Sequence, residues 1–318
     1  MSEVISLIGL VGGLALLIVL TLRGWNLFIS APLCALIVAF SSNIPVFTGD
    51  INFVQNYMAG FTGFIASWFF MFLLGSIFGK FMEDTGAADS VAAWITGLLG
   101  KQRAVLAVVA ACAVLTYGGV SLFVVAFAVY PMALSLFKEA NLPRRFIPAA
   151  LAFGSVTFTM TSAGSPEIQN WIPIEYLGTT PYAAWEVSLV VAVFMAVFGY
   201  WWLQRIINSA VKRGEQFQER SSDPQLVDRE LPHPATGLLP LLVVLGLSFI
   251  YHDTLMQNAL IIALLGGVIS LMIINWRFFT DLQAALGNAT TGALIAIGNT
   301  AAVVGFGGVA RVTPAFDL

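Results

Sequence analysis

The sequence predicts an all-α polytopic membrane protein: an inverted repeat with a re-entrant hairpin and a broken helix in its first copy and an incomplete second copy. Three observations carry that prediction. Of 318 residues, 58% are hydrophobic and only 10% charged, and the mean hydropathy is +0.88, which excludes a water-soluble globule. Several apolar runs are long enough to cross about 30 Å of hydrocarbon. Finally, the basic residues up to Arg229 fall on one side of the membrane once two polar interruptions are read as re-entrant or broken segments.

Membrane helices are expected over 4–22, 25–40, 57–82, 182–207, 235–251 and 255–274. The first lacks a basic n-region and is too long for a cleavable signal, so it is expected to stay in the mature protein. Segment 86–100 is too short to span and is flanked by Glu83, Asp84 and Lys101, which reads as a helix lying at the interface. Trp25, Tyr57, Trp171, Tyr182, Trp185, Trp201, Trp202, Tyr251 and Trp276 fall near span ends, where amphipathic rings favour the headgroup region. Gly9 with Gly13, and Gly75 with Gly79, are small-xxx-small patterns for close helix packing.

Two stretches are apolar but interrupted. Thr116, Tyr117, Gly118, Gly119, Val120 and Ser121 split 104–137 into two half-helices, and 161–170 places hydroxyls, Gly164, Pro166, Glu167, Gln169 and Asn170 after an apolar run. Non-helical backbone at membrane depth is tolerated only inside protein or along a wet cavity, so two neighbouring interruptions suggest one shared cavity. For the second, an ordinary external loop between two shorter helices remains an alternative, because Pro166 and Pro173 also suit a loop.

Charge decides the hairpin. With Met1 outside, Arg23, Lys80, Lys101 and Arg103 lie inside; a single crossing over 104–137 would strand Lys138, Arg144 and Arg145 outside. A hairpin over about 104–137 that dips in and returns keeps them inside. A broken helix over about 146–180 then crosses outward, 182–207 returns, and Arg205, Lys212, Arg213, Arg220 and Arg229 also lie inside.

The polar segment 209–234, with Pro224, Pro232 and Pro234, reads as a cytoplasmic linker between a first transmembrane repeat, 1–208, and the start of a second, 235–318. After the linker come two spans and a Gly-rich helix again. Thr62-Gly63 with Gly79, and Thr291-Gly292 with Gly308, keep the same spacing, although chance similarity between apolar sequences is an alternative. Parity starts the second copy from the opposite side of the membrane, an inverted-topology repeat of the kind common in secondary transporters. The second copy has no hairpin or broken helix of its own, so the expectation is a C-terminally truncated transporter.

Other chemistry is unsupported. A net charge of -3 from 14 Lys and Arg against 17 Asp and Glu offers no footprint for nucleic acid. Cys34 and Cys112 read as small buried hydrophobes, and no metal site or cofactor is expected. His233 and His252, read as solvated loop residues, leave a serine hydrolase without a base in the membrane. No HExxH, GxGD or phosphate-binding loop is present, so no enzyme is expected.

The stretch YGGVSLFVVAFAVYPMALSLFKEANLPRRFIPAALAFGSVTFTMTSAGSPEIQNWIP, 117–173, closely resembles the GntP gluconate permease family of bacterial proton-coupled symporters. The likeness extends more loosely over the chain, including GFGGV at 305–309. That resemblance implies a multi-pass protein of the bacterial inner membrane that takes up gluconate or a related small hydroxycarboxylate or monocarboxylate together with a proton. It also implies inverted repeats moving as an elevator. The expected partners are that anion, H+ and the lipid bilayer, with a second copy of the chain, as a homodimer, a further candidate. No residue selects among the anions. Sodium coupling, and a truncated membrane protein that does not transport, remain alternatives.

The expected substrate residues are Thr116, Gly118, Gly119, Ser121, Ser162, Gly164, Ser165, Gln169 and Asn170. Loose amides at Gly118, Gly119, Gly164 and Ser165 would hold the carboxylate, and the hydroxyls of Thr116, Ser121, Ser162 and Ser165 would meet those of the substrate. Glu167 is the expected proton carrier, with Gln169 and Asn170 near enough in sequence to hydrogen-bond it. A peripheral glutamate capping the helix that restarts near Ile168 is the competing reading.

Overall fold

The structure, a computed structural model, describes residues 2–100, 103–120, 122–160, 162–220 and 230–316. Met1, Lys101, Ser121, Pro224 and Arg229, named above, and Thr161, within the second interruption, lie outside the described residues. Among the described residues there are twelve α-helices and no strand. They are α1 (Ser2–Leu22), α2 (Leu27–Ser41), α3 (Phe53–Asp84), α4 (Ala87–Leu99), α5 (Ala104–Tyr117), α6 (Leu122–Glu139), α7 (Ile147–Ala152), α8 (Ile168–Leu177), α9 (Trp185–Lys212), α10 (Pro234–Leu255), α11 (Asn258–Ile274) and α12 (Leu282–Arg311). A π-helical turn, Phe153–Thr157, continues α7.

Five helices, α1, α3, α9, α10 and α12, are long and apolar enough to cross a membrane. The expected spans over 25–40 and 255–274 become α2 and α11, of 15 and 17 residues, below the about 20 that a full crossing uses. The side chain of Asn26 accepts the amide of Phe28 and starts α2 late, and α10 holds helical geometry to Leu255, so α11 begins only at Asn258.

The chain packs as two compact units. One comprises Met1–Leu73 with Thr291–Leu318. Its core gathers Cys34, Ala35, Val38 and Ala39 of α2 with Tyr57, Phe306 and Val309. Glycine allows backbones to meet there: a Cβ on Gly13 would sit 2.6 Å from Val38, and one on Gly308 would sit 2.5 Å from the carbonyl of Asn56. Tyr57 is not an interfacial ring but a buried one, donating its hydroxyl to the carbonyl of Ala302 at 3.0 Å.

The other unit is Leu74–Thr290. In α4, Ala87, Ala88, Ser90, Val91, Ala92 and Ile95 are buried, and Ser90 donates to the carbonyl of Pro232 at 2.5 Å. A Cβ on Gly237 of α10 would lie 2.8 Å from Ala87 O. One face of the short helix read as interfacial is therefore covered by protein. His252 is also displaced from expectation: it belongs to the last turn of α10, not to a loop, and its ring packs 4.6 Å from that of Tyr182.

Candidate functional site

Helix α5 stops because Gly119, at φ +93°, can adopt a conformation that other residues reach only with strain. Gly119 N donates to Thr116 O at 2.9 Å and Val120 N to Leu115 O at 3.0 Å, the paired bonds of a Schellman termination. Gly118 N reaches Val114 O at 3.0 Å. The chain then reverses into α6.

The second interruption forms differently. The π-helical turn after α7 releases carbonyls that hydroxyls recapture: Thr157 donates to Phe153 O, Thr159 to Gly154 O and Ser155 O, and Ser162 to Phe158 O. This is how a membrane helix can lose its ladder without leaving polar backbone bare. Gly154 makes room for α5, since a Cβ there would lie 2.5 Å from Val109 O.

The segment 178–184 returns to the interruption and holds it shut. Pro181 O accepts both Gly164 N at 2.9 Å and Asn170 Nδ2 at 3.1 Å. The ring of Tyr182 lies against Gly164, whose φ is +79°, and its hydroxyl is 3.4 Å from Ser248 Oγ. Ser188 of α9 accepts Ala163 N at 2.9 Å. Ser165 O accepts Trp171 Nε1 at 2.9 Å and Asn170 Nδ2 at 3.2 Å. Trp171, read as an interfacial ring, is fully buried and part of this lock.

The two interruptions meet. A Cβ on Gly119 would lie 3.2 Å from Pro166, and Tyr117 donates its hydroxyl to Ala163 O at 3.0 Å. A cavity of about 1080 Å³ is lined by Tyr117 and Gly118 from one interruption, by Ser162 and Ala163 from the other, and by Tyr182 and Leu241.

The donors differ from expectation. The amides of Gly118, Gly119, Gly164 and Ser165 are not loose, because each already has a backbone acceptor, Ser165 N reaching Ser162 O at 3.0 Å. The hydroxyl of Ser162 is committed to Phe158 O. Asn170 bonds Ser165 O and Pro181 O, not Glu167, and Gln169 is exposed. At these interruptions, among the described residues, two buried oxygens stay without a hydrogen-bond partner: Thr116 Oγ1 and Glu167 Oε1. Glu167 occupies the N-cap position of α8, where the competing reading put it, but its side chain makes no capping bond.

Sequence reasoning missed Tyr117, Tyr182, Trp171, Pro181 and Ser188 as parts of this constellation. Two were visible as polar-tipped rings beside an interruption, where a buried N–H or O–H needs an acceptor. Nothing in the residues signalled Pro181, which acts through its carbonyl.

Multi-pass helices and paired helix interruptions define an integral membrane protein of the carrier class, and the comparisons with known proteins agree. The chain matches the profile described as GntP family permease over residues 5–297. It is 36% identical to "Uncharacterized transporter YxjC" of Bacillus subtilis (strain 168), across 95% of this chain and 72% of that protein. It is 26% identical to an "Uncharacterized transporter" of Haemophilus influenzae (strain ATCC 51907 / DSM 11121 / KW20 / Rd), across 69% of this chain and 51% of that one. No solved structure matches. The chain belongs to the GntP permease family, a family of membrane transporters and not of enzymes.

Proposed function

We propose that this chain carries out proton-coupled uptake of gluconate or a related small hydroxycarboxylate or monocarboxylate across the bacterial inner membrane. The anion is held where the two interruptions meet. The observation that carries the reading is the buried Glu167 Oε1, left without a partner beside that meeting point. An unsatisfied buried polar group costs about 1–3 kcal/mol, and a functional role is one reason a folded protein retains such a group. A proton on Glu167 would remove its negative charge, so that proton and anion load with no net change in the charge of the site and no second carboxylate opposes the anion.

Thr116, the first-turn amides of α8 and the hydroxyl of Ser165 remain as substrate donors; Gly118, Gly119 and Gly164 shape the site by letting backbone approach. The inverted repeat belongs to the same reading, with 1–208, a linker 209–234 and 235–318 as its parts. One contact pattern supports it. The offset that aligns Thr62 with Thr291 also aligns Gly60 with Ala289 and Ser76 with Gly305, and these positions make the close approaches: Ser76 donates to Ala289 O at 2.7 Å, and a Cβ on Gly60 would lie 3.2 Å from Gly305 Cα.

Uptake of labelled gluconate and of simple monocarboxylates into proteoliposomes, under an imposed pH gradient or an imposed Na+ gradient, tests the proposal. Accumulation driven by the pH gradient alone is expected. Accumulation that needs Na+ would transfer the coupling role to a sodium ion near Thr116, and no accumulation of any carboxylate would remove the reading.

A further inference from the structure

Beyond α9 and its closing turn, residues 215–220 run without helix or strand. Three of these residues reach back to the helix ends. Glu215 takes a two-bond grip on Arg145, at 2.8 Å from Nε and 2.9 Å from Nη2. Two residues on, Phe217 N donates to Asn141 Oδ1 at 3.2 Å. Two further on, Glu219 pairs with Lys138. Residues 216 and 218, between them, are exposed. Glu215 also meets Arg213 at 3.5 Å, and Arg213 bonds Ser209 of α9 at 3.0 Å.

These contacts tie three helix ends together: the end of α6, which is the returning arm of the hairpin, the entry to α7, and the end of α9. A cavity of about 700 Å³ lined by Tyr130, Pro143, Pro148 and Phe217 lies beneath the segment. Both ion pairs are solvent-accessible, with side chains 60% and 64% exposed at Lys138 and Glu219 and 59% and 33% at Arg145 and Glu215. Exposed pairs are weak and salt-screened, which suits a fastening that opens and closes.

We propose that 213–220 is an ionic strap binding the base of the hairpin to the base of the broken helix, and that its release sets how freely the two interruptions separate. The strap stands on these contacts whatever solute the chain carries. It would make the carrier responsive to ionic strength, or to any charged partner that competes for Glu215 and Glu219, on the face where the basic residues collect.

Hydrogen exchange on the full chain in nanodiscs tests it. In the double variant Glu215→Gln and Glu219→Gln, exchange at 213–220 should rise about 1.5- to 5-fold for each pair lost, and exchange at 116–119 and 162–166 should rise with it. High salt should reproduce both effects in the unaltered chain and add little to the variant. The reciprocal swap, Glu215→Arg with Arg145→Glu, should restore protection, which a merely misfolded variant would not show. A disulfide between Asn141→Cys and Phe217→Cys should lower exchange at both interruptions. Unchanged exchange at the strap, or a rise confined to it with 116–119 and 162–166 unmoved, would overturn the proposal.

Discussion

Glu167 and Gly164 show how little separates a functional interruption from a loop. The side chain of Glu167 makes no capping bond to α8, and on the proposed proton role Glu167→Gln keeps the shape while removing the titration. Loss of pH-driven accumulation with retained substrate exchange is expected, and full pH-driven accumulation in that variant would exclude the proton role. Gly164 combines a left-handed backbone with the Tyr182 ring pressed on its face. Gly164→Ala therefore meets strain of about 1–3 kcal/mol plus the collision with Tyr182. Thermal unfolding should show the double variant Gly164→Ala with Tyr182→Ala regaining only the steric part; complete recovery would mean the backbone is not strained. At Trp171, phenylalanine removes one donor from Ser165 O and should cost about 0.5–1.5 kcal/mol, read by the same measurement, while a neutral result would mean the bond contributes nothing to stability.

At the scale of elements, the interruptions themselves were legible. Gly118-Gly119 in an apolar run predicts a helix stop, and hydroxyls, Gly164 and Pro166 in the next run predict a second, because both patterns act through local backbone preference. The identity of the free donors was not legible. Whether the amide of Gly164 is loose depends on Pro181, which reaches it only because the chain after α8 turns back at Gly178, φ +62°, a tertiary outcome without local signature. The same reason hid Trp171 and Tyr57 in the core: position near a span end predicts an interfacial ring unless a carbonyl lies within reach. Hairpin topology has its own test. Cysteine placed near Lys138 should stay unlabelled by an impermeant external reagent in sealed cells, and labelling there would make 104–137 a single crossing.

For the whole molecule, α2 and α11 are shorter than the apolar runs that predicted them, whereas the all-helical membrane architecture followed from composition. Packing within the first unit depends on glycine at particular positions and not on glycine content. A Cβ on Gly60 would sit 2.7 Å from Val304 O, but one on Gly63, a turn away, meets nothing within 4 Å. Gly60→Ala should destabilise the protein because backbone cannot yield, and Gly63→Ala should be neutral or gain up to about 1 kcal/mol of helix propensity. Detergent-solubilised thermal unfolding of the two compares them directly, and equal effects would mean that α3 and α12 do not meet as described.

The doubly used carbonyl of Pro181 bears on how the protein is made. The polar interruption at 162–166 leaves the ribosome before Pro181, Tyr182 and Ser188, the residues that satisfy its amides and cover its glycine. For the time it takes to synthesise the next turns, the nascent chain holds an interruption whose partners do not yet exist, in a membrane that offers no water in their place. Insertion of this region should therefore be completed as one block that includes the start of α9. Nascent chains arrested before residue 181 should be prone to extraction by carbonate and to degradation by membrane proteases, while chains arrested after residue 188 should be stable.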